Sequence, residues 1–303
     1  MGGRLCYVAG ANHGGSTLLA MLLDQHPRVV AMGEAGPIRK VRDNRSYDCS
    51  CGEPLDRCSF YTAVAGRLEQ RSIAFHPMDW GLRYEMPRPE LDRLAFGLPP
   101  RGGRSVSRLR HAMLRRLPMT RKVLEPVDRR NVAFVRAALE VGDADVLVDA
   151  TKDPERARLL ADLPVPLVVV HLLRDPRAVA FSGSRRGRDP LVIADYWKRT
   201  HDTLDGMQRH LECQGWVNLR YEDLCADPEA ALRPVFSLLG LDPAAVSRQF
   251  DGSEHHVVGN KMRRGRSQTV SSDEEWKKAM PTEATEAVWR RTRATAARHG
   301  YRP

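Results

Sequence analysis

The stretch that decides the fold is "RLCYVAGANHGGSTLLAMLLDQHP", Arg4 to Pro27. Arg4 to Gly10 is a short apolar run closing on glycine, and from Ser16 onward leucine and methionine recur at helical spacing until Pro27 ends the pattern. The order is strand, loop, helix. Gly10, Gly15 and Thr17 stand where a phosphate-binding loop of the form G-x-x-x-x-G-K-[ST] places them, but Ser16 occupies the lysine position. Such a loop predicts that the backbone N–H groups of Asn12, His13, Gly14, Gly15, Ser16 and Thr17 cradle a phosphate at the positive end of the following helix. The Thr17 hydroxyl adds one more donor.

The same grammar recurs along the chain. In "ADVLVDATKDPERARLLADL" a strand over Val146 to Val148 precedes a helix opened by Asp153-Pro154, and in "PLVVVHLLRDPRAVAFSGSRR" a β-branched run meets Arg174 before Asp175-Pro176 opens another. A further strand is expected in "GWVNLRYEDL", within which Tyr221 is taken to end the strand and to be structural. Fully apolar strands alternating with helices predict an α/β domain whose central parallel sheet is flanked by helices, like a P-loop NTPase. The 303 residues read as a single domain, residues 1–303. Between about 67 and 143 the pattern shifts to Arg- and Pro-rich helical fragments, with a flexible point expected at "GLPPRGGRS" (Gly97 to Ser105). This is read as a helical insertion capping the carboxyl end of the sheet, where open α/β folds bind their ligands.

Lys and Arg (48) exceed Asp and Glu (38), a net charge of +10, which favours anionic partners. Aromatic residues make up only 6 % and do not interleave with basic ones, so nucleic-acid binding is not expected. No apolar run reaches the roughly 20 residues of a membrane span, and a cytoplasmic location is expected. Six cysteines are present, three of them in "CSCGEPLDRC" as Cys49, Cys51 and Cys58. C-x-C-x6-C lacks a fourth ligand nearby, so no metal site is predicted. The group reads first as free thiols, with a local disulfide or a zinc site as alternatives.

A second anion grip is expected beyond the apolar run 167–173. Arg174 stands at a strand end, Ser182 follows by eight residues and Arg186 by four more, so that Ser182 and Arg186 are predicted to share one helical face. Guanidinium and hydroxyl together suit a second phosphate. Two phosphate grips at two strand ends fit a nucleotide phosphorylated at both ends of its ribose. On "GANHGGSTLLAMLLDQHP" and "LRDPRAVAFSGSRR" the chain resembles sulfotransferases that use 3′-phosphoadenosine 5′-phosphosulfate (PAPS). The order of "RYEDL", "GNKMRRG", "EEWKKAM" and the closing "HGY" extends the resemblance over most of the chain. It is nearest the tyrosylprotein, carbohydrate and related bacterial branch.

The resemblance implies sulfuryl transfer from PAPS to an acceptor hydroxyl on a sugar, glycolipid, natural product or phenol, with 3′-phosphoadenosine 5′-phosphate (PAP) as product and no metal required. Glu34, seven residues after Pro27, falls at the spacing of that branch's catalytic glutamate and is expected to be the general base. Lys152 in "DATKDP" is expected to stabilise the bridging oxygen or the sulfuryl group as the nucleotide leaves. His13 departs from the Arg or Lys of relatives; it is a candidate hydrogen-bond donor to the leaving oxygen or an alternative base. Arg263 and Arg264 in "HHVVGNKMRRG" are candidate 3′-phosphate contacts, while His255 and His256 read as solvated loop residues. Two other readings stay open. One is a P-loop kinase or NTPase with Asp149 as its acid and Thr17 on magnesium; the other is a non-catalytic nucleotide-binding protein.

Overall fold

The computed structural model describes residues 3–36, 47–98, 104–243, 246–264 and 268–303. Most of the expected flexible point after Gly97 lies outside them. Five strands form the central sheet: β1 (Arg4–Gly10), β2 (Val29–Gly33), β3 (Val146–Lys152), β4 (Leu167–Leu173) and β5 (Gly215–Arg220). They lie in the order β2-β3-β1-β4-β5, every neighbour parallel, with Cys6 opposite Val148 on one side and Val168 on the other. Alternate residues feed two cores. Leu5, Tyr7, Leu147 and Val169 point to one face, and Cys6, Val8, Val148, Val168 and Val170 to the other. Burial on both faces is why these strands read as continuous apolar runs instead of alternating.

The helices follow in chain order as α1 (Ser16–Leu23), α2 (Ser59–Glu69), α3 (Pro89–Phe96), α4 (Arg104–Arg116), α5 (Pro118–Val141), α6 (Pro154–Leu160), α7 (Pro176–Ser184), α8 (Pro190–Met207), α9 (Tyr221–Ala226), α10 (Pro228–Leu238), α11 (Trp276–Ala279) and α12 (Thr282–Arg298). The first face is covered by α2, α5, α6 and α8 through residues such as Val64, Phe134, Leu160 and Leu204. The second is covered by α1, α9 and α10 through Leu19, Leu224 and Phe236. A third cluster around Trp197, Val179 and Val288 joins α7, α8 and α12.

Four helices open on Asp-Pro. Asp153, Asp175, Asp189 and Asp227 each accept a hydrogen bond from a backbone N–H of the first turn, and proline at the next position needs none. Helix α1 differs: its cap is Gly15, which offers no side chain, and its first turn carries no acid. Its free N–H groups are thus left for something else.

Three expectations change. Helix α7 stops at Ser184, and the turn closed by the Gly187 N–H on the Ser184 carbonyl puts Arg186 beyond the helix, so Ser182 and Arg186 do not share a helical face. Tyr221 opens α9 and does not end a strand. Between 67 and 143 the described residues carry helices α3, α4 and α5 after a non-helical stretch, and the long α5 packs Phe134, Ala137 and Ala138 into the first core, so this helix is a layer of the fold.

Candidate functional site

The site gathers at the carboxyl ends of four neighbouring strands, where β2 delivers Glu34, β3 Lys152, β1 the loop 11–15 and β4 Arg174. Glycine is required where the chain passes tightly. A Cβ on Gly10 would lie 2.5 Å from the Leu172 carbonyl oxygen, and one on Gly15, at φ +94°, 2.3 Å from the Tyr221 ring. His13 also takes a left-handed φ of 66°. The turn is closed by the Gly14 N–H on the Ala11 carbonyl, 3.2 Å, and leads straight into α1. Ser16 and Thr17 are buried at its start, and the Thr17 hydroxyl accepts from the Asn260 N–H at 3.3 Å.

Glu34 follows Gly33, whose φ of +72° and closeness to Val258 O, 1.9 Å from a Cβ, exclude a side chain. The Glu34 N–H donates to that carbonyl at 2.9 Å. Its Oε1 accepts from Lys152 Nζ at 2.8 Å, and its Oε2 lies 3.6 Å from the Arg83 guanidinium. Lys152 is buried at φ +77° and gives a second hydrogen bond to the Ala150 carbonyl, 3.3 Å. Glu34 and Lys152, 118 residues apart, therefore meet directly.

Burial first, and then the charges of Arg186, Arg188, Arg174 and Lys152, push the His13 imidazole down to about 4. His13 is accordingly neutral at neutral pH, able to donate one hydrogen bond and accept another. Gly183, next to Ser182, is close enough that an added Cβ would sit 3.8 Å from the His13 ring.

Arg174 is buried with its guanidinium 4.4 Å over the Tyr221 ring. It donates to the His13 carbonyl at 3.0 Å and pairs with the half-exposed Asp273 carboxylate at 3.0 Å, while its Nε is buried without a partner. A cavity of about 470 Å³ opens beside it, lined by Arg177, Arg220, Tyr221 and Trp276 among others. Arg263 is committed elsewhere: it donates to the carbonyls of Gly259, Asn260 and Asp48 and stacks 4.4 Å over Tyr47. Arg264 pairs with the Asp48 carboxylate at 2.8 Å. Both hold the segment after residue 46 against the turn at Gly259.

Asp149 is fully buried, with Oδ2 held by Arg156 and Oδ1 by the N–H and hydroxyl of Thr151. His255 is no solvated residue: it is buried and bonded to Asp24 Oδ2 at 2.7 Å. His256 lies against Cys49 and Cys58. Sequence reasoning missed Arg83, Asp273 and the part played by Tyr221, none of which carries a local signature.

Residues 103–245 match the model described as the sulfotransferase family. No curated protein matches the chain. Among solved structures it is similar to the sulfotransferase domain of the Synechococcus PCC 7002 olefin synthase, at 16 % identity and a TM-score of 0.53 over 99 % of this chain and 95 % of that one. It is also similar to the sulfotransferase domain of the curacin biosynthetic pathway, at 15 % identity and 0.53 over 100 % and 99 %. At these identities the likeness is one of fold, an α/β parallel sheet flanked by helices.

Proposed function

Taking as premise the match of residues 103–245 to the sulfotransferase family, we propose that the chain moves a sulfuryl group from PAPS to an acceptor hydroxyl, with Glu34 as base. The observation that carries this reading is the meeting of Glu34 and Lys152 at 2.8 Å beside an uncapped helix N-terminus. In the step proposed, the acceptor oxygen bonds to sulfur as the bond from sulfur to the bridging phosphate oxygen breaks. Glu34 takes the acceptor's proton, and Lys152 meets the charge left on the bridging oxygen. The N–H groups of 12–17, apart from that of Gly14, hold the 5′-phosphate, which a sulfuryl donor needs without the lysine of a triphosphatase. Neutral His13 suits a single hydrogen bond to the leaving oxygen.

For the 3′-phosphate we assign Arg174 and Ser182, with Arg186 as a second cation. The Asp273 carboxylate now paired with Arg174 is half exposed, and a phosphate would take its place. The triphosphatase reading loses its acid, because both oxygens of Asp149 are bound internally. The acceptor class proposed is a hydroxyl on a sugar, glycolipid, natural product or phenol.

The test needs no acceptor. PAP without magnesium, at about 100 times its dissociation constant, is expected to add about 2.7 kcal/mol of stability in a thermal-shift assay. Stabilisation by ATP with magnesium alone would overturn the reading. Arg174→Ala is expected to cost PAP about 1.5–3 kcal/mol of binding and to spare adenosine 5′-phosphosulfate, which lacks the 3′-phosphate. Equal losses would refute its assignment.

A further inference from the structure

Cys49, Cys51 and Cys58 lie on a short loop and the start of α2, and the ligand missing from their spacing arrives from almost 200 residues downstream. His256 Nδ1 stands 3.3 Å from Cys58 Sγ and 3.8 Å from Cys49 Sγ, and Cys51 Sγ is 3.8 Å from Cys58 Sγ. All four atoms fall within 4.8 Å of one another. We propose that these four side chains form a closed tetrahedral zinc site that fixes the loop carrying residues 255–260 against the phosphate cradle.

The distances fit this geometry. With Zn–S of about 2.3 Å and Zn–N of about 2.0–2.1 Å, tetrahedral angles set neighbouring sulfurs about 3.8 Å apart and sulfur and nitrogen about 3.6 Å apart. A disulfide requires sulfurs about 2.05 Å apart, and all six cysteines are free thiols. Three thiolates and one imidazole, with no carboxylate among them, select zinc over magnesium or calcium. Four protein ligands leave no open position, the mark of a structural site.

The surroundings hold the ligands in place. Cys49 and Cys58 are fully buried, while Cys51 reaches partly to the surface and provides a route of entry. The turn between them is built by Gly52, at φ +92°, whose N–H donates to the Cys49 carbonyl at 3.1 Å, and by the Cys49 N–H on Glu53 O at 2.8 Å. The His256 ring stacks on Phe60 at 5.3 Å, and the His256 carbonyl accepts from the Tyr61 hydroxyl at 2.6 Å. Ser50 stitches the two segments together, donating to the His255 carbonyl and accepting from the Val257 N–H at 2.8 Å.

From His256 the chain runs directly to the site. The Val258 N–H donates to Met32 O at 2.9 Å, Val258 O accepts from Glu34, and the Asn260 N–H reaches Thr17. The zinc would thus hold in register the segment that bonds the Glu34 backbone and closes on the cradle. The metal does not touch the reacting atoms; its ligands are positioning residues.

Full-length untagged protein, purified without chelator under reducing conditions, is expected to carry one zinc per chain that survives gel filtration. An organomercurial that caps thiolates should release it. Cobalt in its place should give the intense visible bands of tetrahedral cobalt together with thiolate-to-metal charge transfer. Cys51→Ser and His256→Ala should each lower zinc content at least tenfold, whereas Cys213→Ser, outside the cluster, should leave it at one. Should the first two fail to fold, the stoichiometry and the cobalt spectrum of the unaltered protein decide. Zinc absent both as purified and after incubation of the reduced protein with Zn²⁺ would overturn the proposal, and so would a Cys51–Cys58 disulfide in peptide maps. Neither readout involves sulfuryl transfer, so the proposal stands or falls apart from the proposed activity.

Discussion

Glu34 and Lys152 leave the ends of adjacent strands and meet at 2.8 Å, so altering Lys152 leaves Glu34 to the Arg83 guanidinium, and altering Glu34 leaves Lys152 to the Ala150 carbonyl and solvent. Glu34→Gln keeps the shape and a hydrogen-bond acceptor for Lys152 while removing the base. It is expected to lower turnover by about 10²–10⁴-fold, the usual worth of a positioned base, with PAP affinity near that of the unaltered protein. Turnover of labelled PAPS alongside a PAP titration checks this, and unchanged turnover would remove Glu34 from the role. Lys152 holds its ammonium there on a backbone at φ +77°, a conformation costing of order 1–3 kcal/mol. The cradle residues and Arg174 were legible in the sequence because each follows an apolar run closely, whereas Glu34 came only from the family resemblance and Lys152 from the resemblance together with its place at a strand end. Arg83 and Asp273 were not, since they reach the site from segments whose spacing says nothing about where they end. His256 was hidden for the same reason: its partners are 198 and 207 residues away in the chain.

At the scale of elements, Asp-Pro dipeptides marked the starts of α6 and α7, because a carboxylate that caps and a proline that needs no donor act together at one boundary. Their ends were less legible. Helix α7 stops at Ser184 where Gly187 turns left-handed at φ +77°, a choice that glycine permits but does not dictate. The long insertion was read as a cap, yet α5 became part of the core layer, since its apolar stripe looks the same in sequence whichever surface it covers. What ties that layer to the sheet is Arg156. Its guanidinium bonds Asp149 on β3 at 2.9 Å, the Leu82 carbonyl at 2.6 Å and Asn131 on α5 at 2.8 Å, all buried. Arg156→Met leaves the Asp149 carboxylate buried without its cation. The expected loss is about 3–5 kcal/mol in denaturant unfolding, the cost of breaking such a pair from one side. A loss below about 1 kcal/mol, the worth of an exposed pair, would mean that water reaches the site.

Over the whole molecule, acid should act through buried imidazoles. His171 is held down to about 3 by burial and then by the nearby charge of His299, and His201, bonded to it at 2.8 Å, is held well below its ordinary value by burial and His171. The unfolded chain takes up these protons near pH 6.5 and the folded chain does not, so stability falls as pH drops from about 6.5 toward 4. Asp153 works the other way, because burial raises it to about 6. Comparison with a variant cancels that opposing contribution: His171→Gln is expected to flatten the slope of melting temperature against pH over this window, and an unchanged slope would refute the account. The sheet itself has a flank to guard. Strand β2 ends the sheet on one side, and at its carboxyl end Val258 pairs with Gly33 in parallel, taking up the Met32 carbonyl and the Glu34 N–H. A bare apolar edge reading VVAMG would be a template for a strand from another molecule. The few residues that close on the phosphate cradle therefore also blunt the edge against self-association, and whatever loosens residues 255–260 puts solubility at risk along with chemistry.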